Sequence, residues 1–224
     1  KDLTFEVKKG ETIAFVGATG AGKTSVINLL SRFNEYQKGE IFIDGKNLRE
    51  YELSQLRNVI GVVLQDVFLF SDSIHNNITL NNPDITRKQV VEAAKAVGAN
   101  EFIERLKDNY DFDVHERGGM LSVGQRQLLA FIRAYVYNPK ILVLDEATSS
   151  VDTESEVLIQ NAIDRLTENR TSIVIAHRLA TIQKADKIIV MDKGRIVEMG
   201  SHQELLKKDG HYKNLYDLQF SELS

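Results

Sequence analysis

Eight consecutive residues, 17–24, read Gly-Ala-Thr-Gly-Ala-Gly-Lys-Thr and match the pattern G-x-x-x-x-G-K-[ST]. Glycines at this spacing let backbone N–H groups approach phosphate oxygens closely, because they accept dihedral angles that other residues avoid. Lys23 would hold the β- and γ-phosphates of a nucleotide, and the Thr24 hydroxyl would bind Mg²⁺. The pattern predicts a phosphate-binding loop formed by Gly17, Ala18, Thr19, Gly20, Ala21, Gly22, Lys23, Thr24 and Ser25.

The segments on either side of this loop predict the two elements that position it. Residues 12–16 have the apolar pattern of a strand. An apolar stripe with helical spacing follows the loop, at Val26, Leu29, Leu30 and Phe33. A helix that begins here would add the positive end of its dipole to the phosphate site. The alternative is a glycine-rich turn that matches by chance, and the order strand, loop, helix counts against it.

Two acidic residues follow a second apolar strand. Residues 141–144 form a continuous apolar run, typical of a strand buried on both faces, and Asp145 and Glu146 come directly after it. In open α/β sheets ligands lie beyond the carboxyl ends of the strands, so both carboxylates would face the crevice of the phosphate loop. Asp145 is suited to bind Mg²⁺, and Glu146 to polarise an attacking water. In isolation, two acids at a strand end could simply satisfy a turn.

Two further strands end in polar residues. Gln65 follows the apolar run 59–64, and His177 follows the run 173–176. Either residue alone could be a structural hydrogen-bonding group. Strand ends that all carry residues suited to Mg²⁺, water or phosphate indicate a nucleotide site, because such a site needs this convergence.

The remaining pattern predicts an α/β protein with a helical insertion. Further strands are expected at residues 3–7, 41–43, 172–176, 187–191 and 195–199. Residues 67–140 are mainly helical in pattern: Thr86 with Gln89 predicts a capping box, and Asn100 predicts another helix cap. Because helices separate several strands, we expect a mostly parallel sheet.

The composition excludes several classes of protein. The chain has 224 residues, 42% hydrophobic and 27% charged, so it is neither disordered nor fibrous. The net charge of −4 removes the electrostatic case for a dedicated nucleic-acid binder. The absence of cysteine excludes a disulfide framework and a cysteine nucleophile. The densest apolar runs have strand length, short of the roughly 20 residues that span a bilayer.

The segment Leu-Ser-Val-Gly-Gln at residues 121–125 resembles the signature of the ATP-binding cassette (ABC) ATPases. The phosphate loop, Gln65, this signature, residues 141–146, residues 149–152 and His177 occur in family order. The resemblance implies a P-loop NTPase fold with a recombinase-like, mostly parallel sheet core, a small antiparallel β part and a helical subdomain at about 67–140. It also implies ATP and Mg²⁺ as ligands, with Glu146, His177, Lys23 and Gln65 as catalytic residues and Thr24, Gln65 and Asp145 at the metal.

Residues 62–70 and the Glu-Arg-Gly at 116–118 resemble exporter-type cassettes, in which a transmembrane part precedes the cassette in one polypeptide. Because the chain starts at Lys1 and an alternating segment follows at once, we expect it to be cut from a longer protein. The resemblance implies a place on the cytoplasmic face of the inner cell membrane, reached only through that missing domain. It also places the adenine-stacking aromatic upstream of the chain, since Phe5 and Tyr36 are poor substitutes by position.

The resemblance further implies that two cassettes pair head to tail around ATP. Ser122, Gly124 and Gln125 of one copy would contact the nucleotide held by Lys23 of the other, and Asp152 would link the two sites. Simpler structural roles stay open. Ser122 could be only a helix N-cap, and Asp152 or Thr153 with Glu156 could cap the following helix.

The signature departs from the family pattern at one position, where Val123 replaces a glycine. If that position needs a positive φ, a β-branched residue is costly there. Three functions are compared: a transport ATPase, a soluble ABC-type ATPase that acts on nucleic acid or ribosomes, and a nucleotide-gated regulator without activity. Basic extensions and long coiled-coil insertions, the marks of the second class, are absent from the sequence, and the intact Glu146 and His177 count against the third.

Overall fold

The computed structural model describes residues 2–146 and 153–220. The chain divides into two compact units. The first consists of Lys1–Val62, Lys140–Glu146 and Asn169–Ser224, and the second of Val63–Pro139 and Ala147–Glu168. In the described residues, no helix is both long and apolar enough to cross a membrane.

The first unit is built on a six-stranded sheet. Its strands are β1 (Thr12–Val16), β4 (Ile60–Val63), β5 (Ile141–Asp145), β6 (Thr171–Ile175), β7 (Lys187–Asp192) and β8 (Arg195–Gly200). Across the sheet they follow the order β4-β5-β6-β1-β7-β8. β1 pairs in parallel with β6 and β7, β5 pairs in parallel with β6, and β8 runs antiparallel to β7. A small antiparallel pair, β2 (Phe42–Ile43) and β3 (Lys46–Asn47), stands apart from this sheet. The predicted mostly parallel sheet with a small antiparallel part is confirmed.

The α-helices in the described part of the first unit are α1 (Lys23–Leu30), α2 (Leu53–Val59), α8 (Leu179–Lys184), α9 (His202–Lys207) and α10 (His211–Phe220). The core of this unit includes β-strand residues that are essentially inaccessible, Ile13, Phe15, Val143 and Ile189 among them. Val26 and Ile27 of α1 pack into the same cluster. The central strands are mostly apolar because both of their faces are covered, and their sequences therefore show apolar runs rather than alternation.

Two predictions at the edges of these elements are wrong. Residues 3–7 form no strand, although their alternation is real: Leu3, Phe5 and Val7 pack on the core without joining the sheet. An alternating pattern indicates that one face of a segment is buried. A β-strand also needs a neighbouring strand to form backbone hydrogen bonds with, and the pattern does not show whether one is present. Phe33 is not on the stripe of α1, because the helix ends at Leu30 and Arg32 takes a positive φ of 51°. Phe33 is therefore 57% exposed.

The second unit is helical. Its helices are α3 (Ile74–Thr79), α4 (Arg87–Val97), α5 (Asn100–Glu104), α6 (Val123–Tyr137) and α7 (Thr153–Thr167). The predicted capping box at Thr86 and Gln89 is confirmed, and it opens α4. The predicted cap at Asn100 is wrong, since Ala99 is the N-cap of α5. The Asn100 side chain instead accepts a hydrogen bond from the Tyr110 hydroxyl at 2.7 Å.

A partly buried arginine ties α6 to α3 in this unit. The Arg133 guanidinium donates to the carbonyl oxygen of Asn77 through Nε and Nη2, at 3.0 and 2.7 Å. The Asn77 side chain, 1% exposed, exchanges hydrogen bonds with the backbone of Phe70. Burial lowers the pKa of Arg133, yet a guanidinium stays charged, so these carbonyl contacts compensate its desolvation. The segment 70–77 is thereby fixed to α6.

The segment before the signature contains backbone strain. His115 has φ 58° and ψ −171°, a combination that is essentially confined to glycine. Gly118 has φ +70°, and a Cβ there would lie 2.7 Å from the Leu69 side chain. The segment thus combines a strained non-glycine residue with a glycine that has no room for a side chain.

We predict that His115→Gly stabilises the protein by about 1 kcal/mol. Glycine removes the steric strain at this φ and ψ, and its greater conformational entropy in the unfolded state offsets only part of that gain. Urea denaturation measures the change. His115→Ala is the matched control, since alanine keeps the steric cost, and an alanine variant as stable as the glycine variant would contradict the prediction.

Candidate functional site

The phosphate loop connects β1 to α1 as the sequence predicts. Gly22 is the N-cap of α1, with φ 101°, and as a glycine it offers no side chain to the amides of the first helical turn. Gly20 also has a positive φ, of 80°. A helix start whose N–H groups receive no side-chain cap is suited to bind an anion. Thr24 and Ser25, at this helix start, are exposed.

Lys23 reaches back over the loop. Its side-chain nitrogen Nζ donates to the carbonyl oxygens of Gly17 at 2.6 Å and Ala18 at 3.1 Å. The residue is 7% exposed, and burial lowers its pKa while the carboxylate of Asp145 opposes that change. A phosphate oxygen accepts hydrogen bonds more strongly than a neutral carbonyl, so the buried ammonium fits an anionic ligand.

Gly17 marks the closest backbone approach in the loop. A Cβ on this residue would lie 2.3 Å from the carbonyl oxygen of Met191 on β7. A cavity of about 10 Å³ lies beside Gly17, walled in part by His177, Tyr212 and Tyr216. Tyr212 in turn shares a 2.6 Å hydrogen bond with Nδ1 of the buried His202. On this side the loop therefore lies against the β7 backbone and close to these aromatic side chains.

Asp145 is the last residue of β5 and Glu146 follows it, and both side chains are buried, at 7% and 2% exposed. Asp145 acts electrostatically on Lys23. Glu146 Oε2 accepts hydrogen bonds from the backbone N–H groups of His177, at 2.8 Å, and Arg178, at 3.1 Å. Its Oε1 accepts from the Thr181 hydroxyl at 2.5 Å. Burial raises the pKa of Glu146, and these hydrogen bonds partly offset that rise.

His177 follows β6 and is half-buried. Burial lowers its pKa, and the positive charge of Lys23 lowers it further. The imidazole is therefore neutral at pH 7. The structure thus brings four predicted residues, Lys23, Asp145, Glu146 and His177, to one edge of the sheet in the first unit.

Thr181 is a contact that sequence patterns did not reveal. It lies on α8, four residues after His177, and is 4% exposed. Only the fold places its hydroxyl against a carboxylate 35 positions earlier in the chain. A lone threonine on a short helix carries no sequence signal for such a role.

The other predicted site residues belong to the second unit. Gln65 is exposed and lies two residues beyond the end of β4. Ser122 is the N-cap of α6: its Oγ accepts from the Gln125 amide at 3.2 Å, and Gln125 Oε1 accepts from the Ser122 amide at 3.0 Å. Ser122 is thus a helix N-cap, which is the structural one of its two expected roles. Since the cap uses the hydroxyl only as an acceptor, its proton remains available for donation.

Val123 causes no backbone strain in the signature. It is the first residue of α6, so its conformation is right-handed helical, and its side chain is 38% exposed. The expected cost of a β-branched residue at positive φ does not arise. Gly124, the next residue, is buried. Residues 149–152, with Asp152 and its predicted link between sites, lie outside the described residues, as do the side chain of Thr153 and hence its cap.

The donor set fits magnesium bound together with a phosphate. Among residues 2–146 and 153–220, no group of three or more His, Cys, Asp or Glu side chains could hold a metal by itself. Mg²⁺ is usually held by one or two protein oxygens together with substrate phosphates and water, rather than by an all-protein cage. The Asp145 carboxylate and the Thr24 hydroxyl are oxygen ligands of the required kind.

We predict that Gly17→Ala destabilises the protein by about 2 kcal/mol or more, because the new methyl group meets the Met191 carbonyl and backbone must move. Gly20→Ala is the matched control. It also has a positive φ, but nothing lies within 4 Å of its Cβ position, so about 1 kcal/mol is expected. Urea denaturation compares the two, and equal losses would show that the contact with Met191 does not matter.

We expect protonation of His202 to make the free energy of unfolding depend on pH. Burial lowers its pKa from 6.5, so the folded state binds fewer protons than the unfolded state below that pH. Its contribution to the unfolding free energy is complete above about pH 6.5 and decreases as the pH falls. We therefore expect wild type to lose more stability than His202→Gln between pH 7.5 and 5.5 in urea denaturation. Equal losses would contradict the assignment.

The chain is similar to known proteins over most of its length. The family profile described as ABC transporter matches residues 1–149. Putative multidrug export ATP-binding/permease proteins of Staphylococcus aureus, from strains NCTC 8325, COL and bovine RF122, are 50% identical over 219 residues. That match covers 98% of this chain and 38% of each relative, so the chain spans well under half of their length.

A solved structure is also similar over almost the whole chain. It is a bacterial Atm1-family ABC exporter with ATP bound, with a TM-score of 0.91 and 42% identity. The match covers 99% of this chain and 39% of that chain. The family match implies ATP binding, which agrees with the phosphate loop at the start of α1. Since the family profile covers more than half of its residues, the chain belongs to the ABC transporter family.

Proposed function

We propose that this chain is the nucleotide-binding domain of an ABC exporter, which binds ATP with Mg²⁺ and hydrolyses it to power export of a substrate. The observation that carries the proposal is the convergence of Lys23, Asp145, Glu146 and His177 beside the phosphate loop. Two of these carry opposite charges, and the others are a buried carboxyl and a neutral imidazole. Together they offer the groups that a phosphoryl-transfer site needs.

Each group has a role that its surroundings support. Lys23 and the amides of the loop hold the phosphates, and Thr24 and Asp145 hold Mg²⁺, which neutralises charge on the phosphate oxygens when bound. Glu146 accepts a proton from the attacking water. His177, neutral at pH 7, donates or accepts a hydrogen bond at the terminal phosphate or the water. We also assign Gln65, exposed just beyond β4, to Mg²⁺, as its resemblance to the family pattern implies.

The signature residues serve a second copy. Ser122, Gly124 and Gln125 lie at the start of α6, where the helix N-terminus and the remaining Ser122 proton favour an anion. We assign them to the ATP held by Lys23 of a partner domain, in a head-to-tail pair with either an identical or a related chain. Asp152 links the two sites across that pair. ATP then stabilises the pair, and its hydrolysis releases it.

The exporter assignment comes from the relatives. Those that match over 98% of the chain are named as multidrug export ATP-binding/permease proteins, and the similar structure is an ABC exporter. We infer a transmembrane domain in the same polypeptide, upstream of Lys1, together with the adenine-stacking aromatic. The cassette then lies on the cytoplasmic face of the inner cell membrane, with residues of about 67–140 as its helical subdomain. The relatives give no support to a role in nucleic-acid or ribosome remodelling.

Glu146→Gln tests the hydrolytic role. We expect ATP binding within twofold of wild type, because the phosphate loop is untouched, and turnover reduced by at least about tenfold. Fluorescent nucleotide titration and phosphate release measure the two quantities. Glu101→Gln, at an exposed site in the helical unit, is the matched control and should behave as wild type.

A second measurement addresses the pairing. If two copies close one site, phosphate release per chain must rise with protein concentration until the pair is saturated. A rate per chain that is independent of concentration would contradict the head-to-tail arrangement.

Near-normal turnover of Glu146→Gln would separately remove Glu146 from its proposed role.

A further inference from the structure

The Glu146 carboxylate lies in a seat formed by three donors. Two are the backbone amides of His177 and Arg178, which both donate to Oε2. The third is the Thr181 hydroxyl, which donates to Oε1. All three come from the turn after β6 and the first residues of α8, so the seat is one local unit of structure.

Because the Glu146 carboxylate is buried, these three donors determine the orientation of its side chain. Glu146 is 2% exposed and Thr181 4% exposed, so solvent contributes little to holding the carboxylate. A buried carboxylate takes the orientation in which its oxygens are hydrogen-bonded, because an unsatisfied buried acceptor is costly. Removing one donor therefore changes the preferred orientation more here than at a surface site.

The two carboxylate oxygens differ in what remains available on them. A carboxylate oxygen has two lone-pair sites. On Oε2 both are used by the backbone amides. Among the hydrogen bonds of the described residues, Oε1 accepts one, from Thr181, and its other lone pair is left for a further donor. Oε1 is therefore the oxygen that can take a proton from water, and Thr181 is the side chain that holds it.

We infer that Thr181 is a positioning residue for hydrolysis, which orients Oε1 of Glu146 toward the attacking water. The inference rests on the proposed function, since it gives that reaction its proton-accepting atom. The water oxygen bonds to the terminal phosphorus, and the bond from that phosphorus to the bridging oxygen of ADP breaks. Oε1 takes the proton from the water, and the products are ADP and inorganic phosphate.

The test compares Thr181→Val, which keeps the shape and removes the hydroxyl, with Thr181→Ser, which keeps the hydroxyl. We expect Thr181→Val to lower kcat by about fivefold or more, the effect of one hydrogen bond, with KM and fluorescent-ATP affinity within twofold. Thr181→Ser should restore kcat to within twofold of wild type. Thr167→Val is the matched control, because its hydroxyl donates to the Ile163 carbonyl within α7.

A double variant shows whether Thr181 acts through Glu146. In the Glu146→Gln background, adding Thr181→Val should leave the residual rate unchanged. The inference is overturned if Thr181→Val keeps normal kcat, if Thr181→Ser is as slow as Thr181→Val, or if the double variant is slower than Glu146→Gln by the factor seen in wild type. Thr181→Ala takes the place of Thr181→Val if circular dichroism shows that the valine variant is unfolded.

The proposed function fails by a different result. Near-normal kcat for Glu146→Gln rejects both the base role of Glu146 and a role of Thr181 through it. Slow Glu146→Gln together with normal Thr181→Val rejects the inference alone. Thermal unfolding without nucleotide checks the hydrogen bond independently of activity: Thr181→Val should melt at a lower temperature than Thr181→Ser, and the reverse order would contradict the seat.

Discussion

The close approach of β1 and β7 at Gly17 is the constraint on which the phosphate site depends. Parallel pairing sets Val16 opposite Val190, and the next residue then passes so near the Met191 carbonyl that no side chain fits. From there the loop turns through Gly22 into α1, which presents Lys23 and the helix amides at the carboxyl end of the sheet. The position of the phosphate-binding groups is thus a consequence of strand register, and the glycine permits it.

The same sheet edge gathers ionisable groups that are costly to bury, and the fold compensates each one differently. Lys23 has two loop carbonyls and the nearby charge of Asp145, whereas Glu146 has two backbone amides and a hydroxyl. Unpaired, such charges would strongly destabilise the interior. Paired, they form a set of oriented dipoles in a region of low dielectric, which is the arrangement that stabilises charge developing in a reaction.

In the helical unit, structure and proposed function use the same atoms without conflict. The Ser122 hydroxyl accepts from the helix and keeps its proton for a ligand, so a cap and a phosphate contact are compatible. The same unit contains a strained backbone conformation at His115. It also contains a backbone carbonyl, that of Asn77, which is bound by the Arg133 side chain.

The sequence by itself determined the loop 17–24, the order of strands and helices around it, and the two acids at the end of β5, because these depend on local spacing and on runs of apolar residues. It failed where an outcome required a partner distant in the chain. Residues 3–7 alternate yet find no strand to pair with, and Asn100 bonds Tyr110 rather than capping a helix. Only the tertiary structure decided that Thr181 meets Glu146 and that Gly17 meets Met191, since each contact joins segments that no local pattern relates.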